Sequence, residues 1–326
     1  MMNSRIAEEM ENIALDRRAL AKAFDDYLFV SSSSTCPVWT NVEETIYHQV
    51  SAHIENQDKF SKYVPCAPTL LIQLIDTLKS EAADFKRIQE IIKADAGLTG
   101  QIIRISNSPL YRRRRDDITS IDKAISMLGF DEIMQVASAV MMKKVFHIES
   151  QRYRTPVSRV WEHCLKSAEA CLVLADRSQE FRGYLLGLIH EIGRISILNC
   201  FIEECAGKNL DGVDDFLIIR RLMKEYGPWL SAFIAAEWGL DGHFLITFRE
   251  FEKLYLGELS EEQYFQVSDD TKVLNLGSQC AMIHSLTNSN HLSKADGVAV
   301  LIDNGLSPEL VGKIFARFDL AEASLL

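Results

Sequence analysis

Gly187-Leu188-Ile189-His190-Glu191-Ile192-Gly193 is the stretch of sequence on which the fold of this chain depends. An apolar helical run ends there in a histidine beside a carboxylate, and a glycine follows closely. A second histidine, His163, lies 27 residues earlier on the preceding predicted helix. Imidazole nitrogens and a carboxylate oxygen from adjacent helices can together hold a divalent transition metal. His163, His190 and Glu191 are therefore the candidate metal ligands.

The composition predicts a folded, mostly helical protein. Of the 326 residues 47% are hydrophobic and 25% charged, with only 16 Gly and 7 Pro, which favours helices over a turn-rich β architecture. The net charge of −11 argues against broad nucleic-acid binding, because such binding depends on basic groups that displace counterions. Seven cysteines form no CxxC pair, so we expect buried free thiols in a reducing cytoplasm.

The ends of the chain and its hydropathy predict a soluble, cytoplasmic protein. The first residues are too charged for a signal peptide. No apolar run approaches the roughly 20 residues that a bilayer requires. We therefore expect no membrane segment.

Breaks in the pattern divide the chain into regions. Residues 1–60 are predicted to form an N-terminal helical extension with a serine-rich linker at 31–37. Residues 61–255 form the main domain, with one lobe at 61–150 and a second at 151–255. Residues 256–326 form C-terminal helices packed on the second lobe. An apolar patch, Tyr27–Val30, beside the linker suggests a contact surface between protomers.

Helical periodicity recurs along the chain, and no alternating strand pattern of any length stands out. The predicted helices include 41–57, 67–80, a helix capped by Asp84, 131–146, one opened by Pro156, 183–198, 213–226, 229–238, 243–256, 269–286 and 307–318.

An ordered set of upstream motifs resembles the HDOD family, a branch of the HD superfamily found in bacterial signalling. The set consists of Val64-Pro65-Cys66-Ala67-Pro68, Ile92-Lys93-Ala94-Asp95-Ala96-Gly97-Leu98, Ile103-Arg104-Ile105-Ser106-Asn107-Ser108-Pro109-Leu110-Tyr111, Ile118-Thr119-Ser120 and Ala124-Ile125-Ser126-Met127-Leu128-Gly129. With His163 and the opening heptad, it covers about residues 60–255. The resemblance implies an all-α fold: a two-lobed helical bundle of HDOD type with an HD-like C-terminal half, here with an N-terminal helical extension.

Departures from the family pattern leave the set of metal ligands incomplete. Relatives that keep a full ligand set carry further histidines at fixed distances from a Trp-Gly-Leu tripeptide, and a late aspartate. Counting from Trp238-Gly239-Leu240 places Gly227 and Phe251-Glu252 at the histidine positions. The late helix that carries the aspartate corresponds to Leu274-Asn275-Leu276-Gly277-Ser278-Gln279, with Ser278 at the acidic position. Glu191 also replaces the usual aspartate, and its extra methylene moves the carboxylate by about 1.5 Å. The remnant would bind a metal weakly, so no cofactor is expected, although a divalent metal stays open.

Basic and polar residues upstream are candidates for ligand or partner contact. The run Arg112, Arg113, Arg114 and Arg115 could grip a phosphate, a nucleotide or an acidic partner, or it could be a solvated loop, which charge runs usually are. Arg104 and Asn107 match family positions. An asparagine near a helix end with a proline beyond it more often caps or turns the chain, so we favour a structural role for both.

Two functions remain open at this point. The first is a non-catalytic signal-transduction protein that binds other signalling proteins, or a nucleotide second messenger. The second is a divalent-metal phosphohydrolase or phosphodiesterase, in which the metal would lower the pKa of a bound water and offset phosphate charge. No catalytic residue is assigned. A homo-oligomer is compatible with either function, and nucleic-acid binding is disfavoured.

Overall fold

The computed structural model of the protein describes residues 19–29, 39–79, 85–111, 117–259 and 261–325, and these contain helices and connections but no strand. The all-α prediction is therefore confirmed. The linker at 31–37, the cap Asp84 and the run Arg112–Arg115 lie outside the described residues.

The helices follow one another with short connections. Those before the first lobe are α1 (residues 19–28), α2 (Asn41–Glu55) and α3 (Gln57–Phe60). The first lobe contains α4 (Thr69–Lys79), α5 (Phe85–Ala94), α6 (Ala96–Ser106), α7 (Ile121–Leu128) and α8 (Phe130–Val145). The second lobe contains α9 (Arg154–Leu174), α10 (Glu180–Ile189), α11 (Ile192–Glu204), α12 (Asp215–Glu237) and α13 (Gly242–Leu256). The last helices are α14 (Glu261–Gln266), α15 (Asp269–Asn288), α16 (Lys294–Asp303) and α17 (Pro308–Leu325).

Helix α9 lies at the centre and packs against α10, α15 and α17. Its close neighbours depend on glycine. A Cβ on Gly187 of α10 would lie 2.5 Å from the backbone nitrogen of Ala168, and one on Gly277 of α15 would lie 2.6 Å from the sulfur of Cys171. Because only glycine leaves this space empty, both helices can approach the backbone of α9.

The second glycine of the heptad joins a different pair of helices. A Cβ on Gly193 of α11 would overlap the carbonyl oxygen of Gly227 on α12 and lie 2.9 Å from the backbone nitrogen of Ser231. The amide of Gly193 donates to the hydroxyl of Ser231 at 3.1 Å. The two glycines of the heptad therefore fix the packing of α10 on α9 and of α11 on α12.

Buried charge pairs connect α17 to the centre. Glu169 of α9 accepts from Nε and Nη2 of Arg317 at 2.8 and 2.5 Å. The ammonium of Lys166, which is 1% exposed, pairs with Glu162 and Glu322. Loss of one partner from such a pair strongly destabilises the protein, because the other charge stays buried without compensation.

The helices differ from the predictions in three respects. The helix predicted at 183–198 breaks at His190-Glu191 into α10 and α11. The helices predicted at 213–226 and 229–238 are one helix, α12, with Pro228 inside it. Proline removes one backbone donor, but the buried faces of α12 on α11 and α13 keep the helix continuous. The short helices α3 and α14 and the helix α16 were not predicted.

Burial corrects the expectation of a contact surface between protomers and bears on the expectation of no membrane segment. In the patch Tyr27–Val30, Leu28 and Phe29 are fully buried against the chain's own helices, so the contact that they make is intramolecular; Val30 lies outside the described residues. Within the described part of the chain, Arg177–Glu204 is apolar and long enough to cross a membrane, yet 89% of its most apolar window is buried. Scattered charges interrupt this segment, and its apolar side chains form core.

Candidate functional site

The break between α10 and α11 sets the position of His190 and Glu191. Helix α10 ends at Ile189, and the amide of His190 still bonds to the carbonyl of Leu186 at 3.1 Å. The Nδ1–H of His190 donates to the carbonyl of Gly187 at 2.8 Å. This bond leaves Nε2 of the neutral ring as an acceptor that faces α9.

His163 of α9 meets His190 at the centre of the site. Their Nε2 atoms are 3.3 Å apart, and the hydroxyl of Ser278 on α15 lies 3.3 Å from the same nitrogen of His163. Nδ1 of His163 is buried without a partner. Burial lowers the pKa of both histidines, so both rings are neutral. We assign the proton of His163 to Nε2, since it can then donate to Nε2 of His190.

Glu191 is held by an arginine. Its Oε1 lies 3.8 Å from Nε2 of His163 and 3.7 Å from Nε2 of His190, while its Oε2 accepts from Nε of Arg194. Arg194 also donates through Nη1 to Asp25 of α1 at 3.0 Å and through Nη2 to the hydroxyl of Tyr255 at 3.3 Å.

The charges of this cluster are buried and interdependent. Arg194 is 3% exposed and Asp25 6%. Burial alone would lower the pKa of Arg194, but Glu191, Tyr255 and Asp25 outweigh it and raise that pKa. Burial raises the pKa of Asp25 although Arg194 opposes the shift. Arg194 is therefore a permanent cation shared between two carboxylates.

Three of the positions at which the family pattern has ligands, Gly227, Phe251 and Ser278, line this site. A Cβ on Gly227 would lie 3.6 Å from Cγ of Arg194. The ring of Phe251 stands edge-on to His190 with centroids 5.7 Å apart, and Ser278 touches His163. At these three positions this chain has no side chain, an apolar ring and a neutral hydroxyl in place of a ligand.

The residues present can be tested against a divalent metal. His163, His190 and Glu191 form a group whose ligand atoms all lie within 4.8 Å of one another, so the composition of a metal triad is present. A ligating histidine normally donates its other N–H to an acceptor, but Nδ1 of His163 has none. The guanidinium of Arg194 on Glu191 adds a positive charge beside the ion's position. The set therefore does not fit a catalytic metal centre.

The other candidate residues lie apart from this site in the sequence and differ in role. The side-chain amide of Asn107 donates to the carbonyls of Ile103 and Ile118, and its oxygen accepts from the amide of Ile118 at 2.8 Å. This is the structural role that the sequence favoured. Arg104 is exposed on α6 and stays a predicted contact residue, and Arg112–Arg115 lie outside the described residues.

Sequence reasoning missed Arg194, Asp25 and Phe24. Arg194 stands three residues after Glu191, so the spacing of the pair on one helix start was a usable signal. Asp25 is 169 residues from Arg194, and no local pattern connects them. The ring of Phe24 packs against His163 with centroids 4.6 Å apart, which closes the site from the side of α1.

The all-α architecture, with one histidine on α9 facing another at the break between α10 and α11, is that of an HD-type protein. A family model described as HDOD domain matches residues 64–252, well over half of the chain, and the protein belongs to the HDOD family. The uncharacterized protein YuxH of Bacillus subtilis (strain 168) is 30% identical over 135 residues, which cover 40% of this chain and 31% of that protein. The match spans about a third of the relative.

Two solved bacterial structures share this fold. A protein of Shewanella amazonensis described as a putative metal-dependent phosphohydrolase superimposes with a TM-score of 0.61 at 17% identity, covering 86% of this chain and 100% of that one. An HDOD domain protein with unknown function from Geobacter sulfurreducens gives 0.55 at 17% identity, covering 86% and 96%. At this identity the likeness establishes the two-lobed HDOD fold alone.

Proposed function

We propose that this protein is a non-catalytic HDOD regulator that acts by binding other proteins, with a nucleotide second messenger as a further ligand class. The supporting observation is the buried bridge from Glu191 through Arg194 to Asp25. A guanidinium there supplies the positive charge that the metal would bring, but it cannot bind or activate a water as a Lewis acid. The site is thereby stable without an ion and lacks the means of hydrolysis.

The regulator is proposed to work in the cytoplasm with other signalling proteins as partners. The burial of the apolar segment Arg177–Glu204 and the net charge of −11 support a protein that contacts neither membrane nor nucleic acid. A homo-oligomer remains part of the proposal, with its interface unassigned.

A metal-dependent phosphohydrolase is the second candidate, and one distance favours it. Two nitrogens bound to a tetrahedral metal at about 2.0–2.1 Å stand about 3.3–3.4 Å apart, and the two Nε2 atoms are 3.3 Å apart. Deprotonation of Nε2 on His163 would then be required, with the proton moved to an Nδ1 that has no acceptor.

Elemental analysis of protein purified without chelator, combined with hydrolysis of a generic phosphodiester in Mn²⁺, separates the two candidates. The regulator contains less than stoichiometric metal, and its background turnover is the same in wild type and in His190→Ala. Stoichiometric metal with turnover that His190→Ala abolishes would reject the non-catalytic proposal. His243→Ala, which changes an exposed histidine on α13, is the matched control for a nonspecific metal contribution.

A further inference from the structure

Helix α1 covers the site as an amphipathic helix that docks on the second lobe. Leu20, Phe24 and Leu28 recur every four residues and are buried at 9%, 1% and 0% exposure, so one stripe of α1 faces the body. Phe24 lies on His163, and Tyr27 stands edge-on to His291, centroids 5.9 Å apart. The surface of α9, α11 and α12 that α1 covers, which includes His163, is called the groove below.

Three arginines of the groove converge on the last turns of α1. Arg194 of α11 bonds to Asp25 at 3.0 Å. Arg220 of α12 bonds to Asp26 at 2.6 Å and to the carbonyl of Phe29 at 3.3 Å.

Arg159 of α9 completes the set. It donates to the carbonyl of Tyr27 and, at 3.4 Å, to that of Leu28. Its guanidinium also lies 4.5 Å from the centre of the Tyr27 ring, a distance at which a cation is attracted to the face of the ring.

The positive charge of the groove is complementary to the negative C-terminal end of α1. The C-terminal end of a helix carries unsatisfied carbonyls and a partial negative charge, and α1 adds Asp25 and Asp26 to it. Three guanidiniums from three different helices meet that end. In a chain of net charge −11, such a concentration of cations selects a helix that ends in acidic residues.

We propose that this groove is a docking surface for an acidic, amphipathic helix of a partner protein, and that α1 is its built-in occupant, which the partner helix displaces. The inference rests on the proposed regulatory function, because it names the surface through which that regulator binds. Displacement of α1 removes Asp25 from Arg194 and Phe24 from His163, so occupancy of the groove and exposure of the site are linked.

A peptide with the sequence of residues 17–30 is the probe, carrying a fluorophore at its N-terminus. It is titrated into the full chain and into a full-chain Phe24→Ala/Asp25→Asn variant, whose own α1 competes less well. We expect binding to the variant to be on the order of tenfold tighter or more, since a hydrogen bond to a charged group and an aromatic contact no longer favour the resident helix. A peptide with both aspartates changed to asparagine should bind at least roughly tenfold more weakly than the acidic peptide.

Two adjacent arginines of α12 supply matched groove variants. In the Phe24→Ala/Asp25→Asn background, Arg220→Met should weaken the peptide because Arg220 contacts α1. Arg221→Met should not, because Arg221 faces Glu225 and the ring of Tyr47 instead.

Circular dichroism confirms that each variant is folded, and amide hydrogen exchange on the wild type tests the docking of α1 without any variant. Residues 19–29 should exchange faster than α9, and faster still with peptide.

Different results would contradict the docking surface, the partner helix and the regulatory function. Failure of the acidic peptide to bind the folded variant, or exchange of residues 19–29 as slow as that of α9, would overturn the docking surface. Concentration-dependent dimerisation of the wild type that Asp25→Arg abolishes would assign the groove to a second copy and overturn the partner helix. Metal content and phosphodiester turnover of the same preparations test the regulatory function separately, so failure of the peptide alone leaves that function standing.

Discussion

Substitution of Gly187 by alanine tests how the heptad determines the fold. On an exposed helix position this change would stabilise the protein by about 1 kcal/mol, because alanine has the higher helix propensity. At this position the new Cβ would lie 2.5 Å from the backbone nitrogen of Ala168 and 2.6 Å from its Cα. An ordinary contact begins near 3.4 Å, so α9 and α10 would have to separate by roughly 1 Å.

The magnitude follows from those two opposing terms. Overpacking a core typically costs about 1–3 kcal/mol, and a clash with rigid backbone belongs at the upper end of that range. After subtraction of the propensity gain, we expect Gly187→Ala to lower the free energy of unfolding by about 2 kcal/mol. The sign is thus opposite to what helix propensity alone predicts.

Urea unfolding followed by circular dichroism measures the change, and Gly312→Ala provides the control. Gly312 lies within α17, and a Cβ there would meet nothing within 4 Å, so we expect a gain of about 1 kcal/mol. If Gly187→Ala is as stable as the wild type, or if the two variants shift in the same direction, close packing of α10 on α9 is not what requires the glycine.

Three further substitutions address the charges and the site. Arg194→Met leaves two carboxylates unpaired and should lower the free energy of unfolding by about 3–5 kcal/mol; a urea series showing less than about 1 kcal/mol would contradict the bridge. Asp215 has a pKa below its ordinary value of 3.8, because hydrogen bonds from Arg152 and Tyr153 outweigh its burial. The stabilisation by the ionised Asp215 is present above that value and is lost as the pH falls through the lower pKa of the folded state. The difference in free energy of unfolding between wild type and Asp215→Asn should therefore narrow below pH 3.8, and a difference that stays constant would contradict this explanation. Ser278→Asp places a carboxylate beside His163 and should raise Mn²⁺ affinity by calorimetry about tenfold; unchanged affinity would show that Arg194 dominates the site.

Local patterns were sufficient to predict much of the fold. The spacing of apolar residues, the scarcity of glycine and proline, and the ordered motifs of residues 64–129 predicted the all-α architecture and its family. His163 and His190 were also predicted to converge, because each lies on an apolar helix and the two helices are consecutive. These features depend on residues near one another in sequence or on packing shared by the family.

Features that depend on tertiary contacts could not be predicted. Helix α12 continues through Pro228 because its neighbours bury it, which overrides the local preference for a break. The heptad helix ends at Ile189, although its apolar pattern continues. The pairing of Arg194 with Asp25 exists only because α1 packs on the site, and no local pattern predicts it.

The buried charges of α9 bear on where the cooperative unit of this protein ends. The family match stops at residue 252, yet Glu169 takes its cation from Arg317 and Lys166 takes an anion from Glu322. A fragment cut at the family boundaries would leave Glu169 without its cation and Lys166 with only one of its two anions, Glu162, and it would also lose Asp25 and Ser278. The segment that the family model matches is thus shorter than the segment that must fold together. Helix α17 belongs to the core because its charged side chains pair with buried charges of α9.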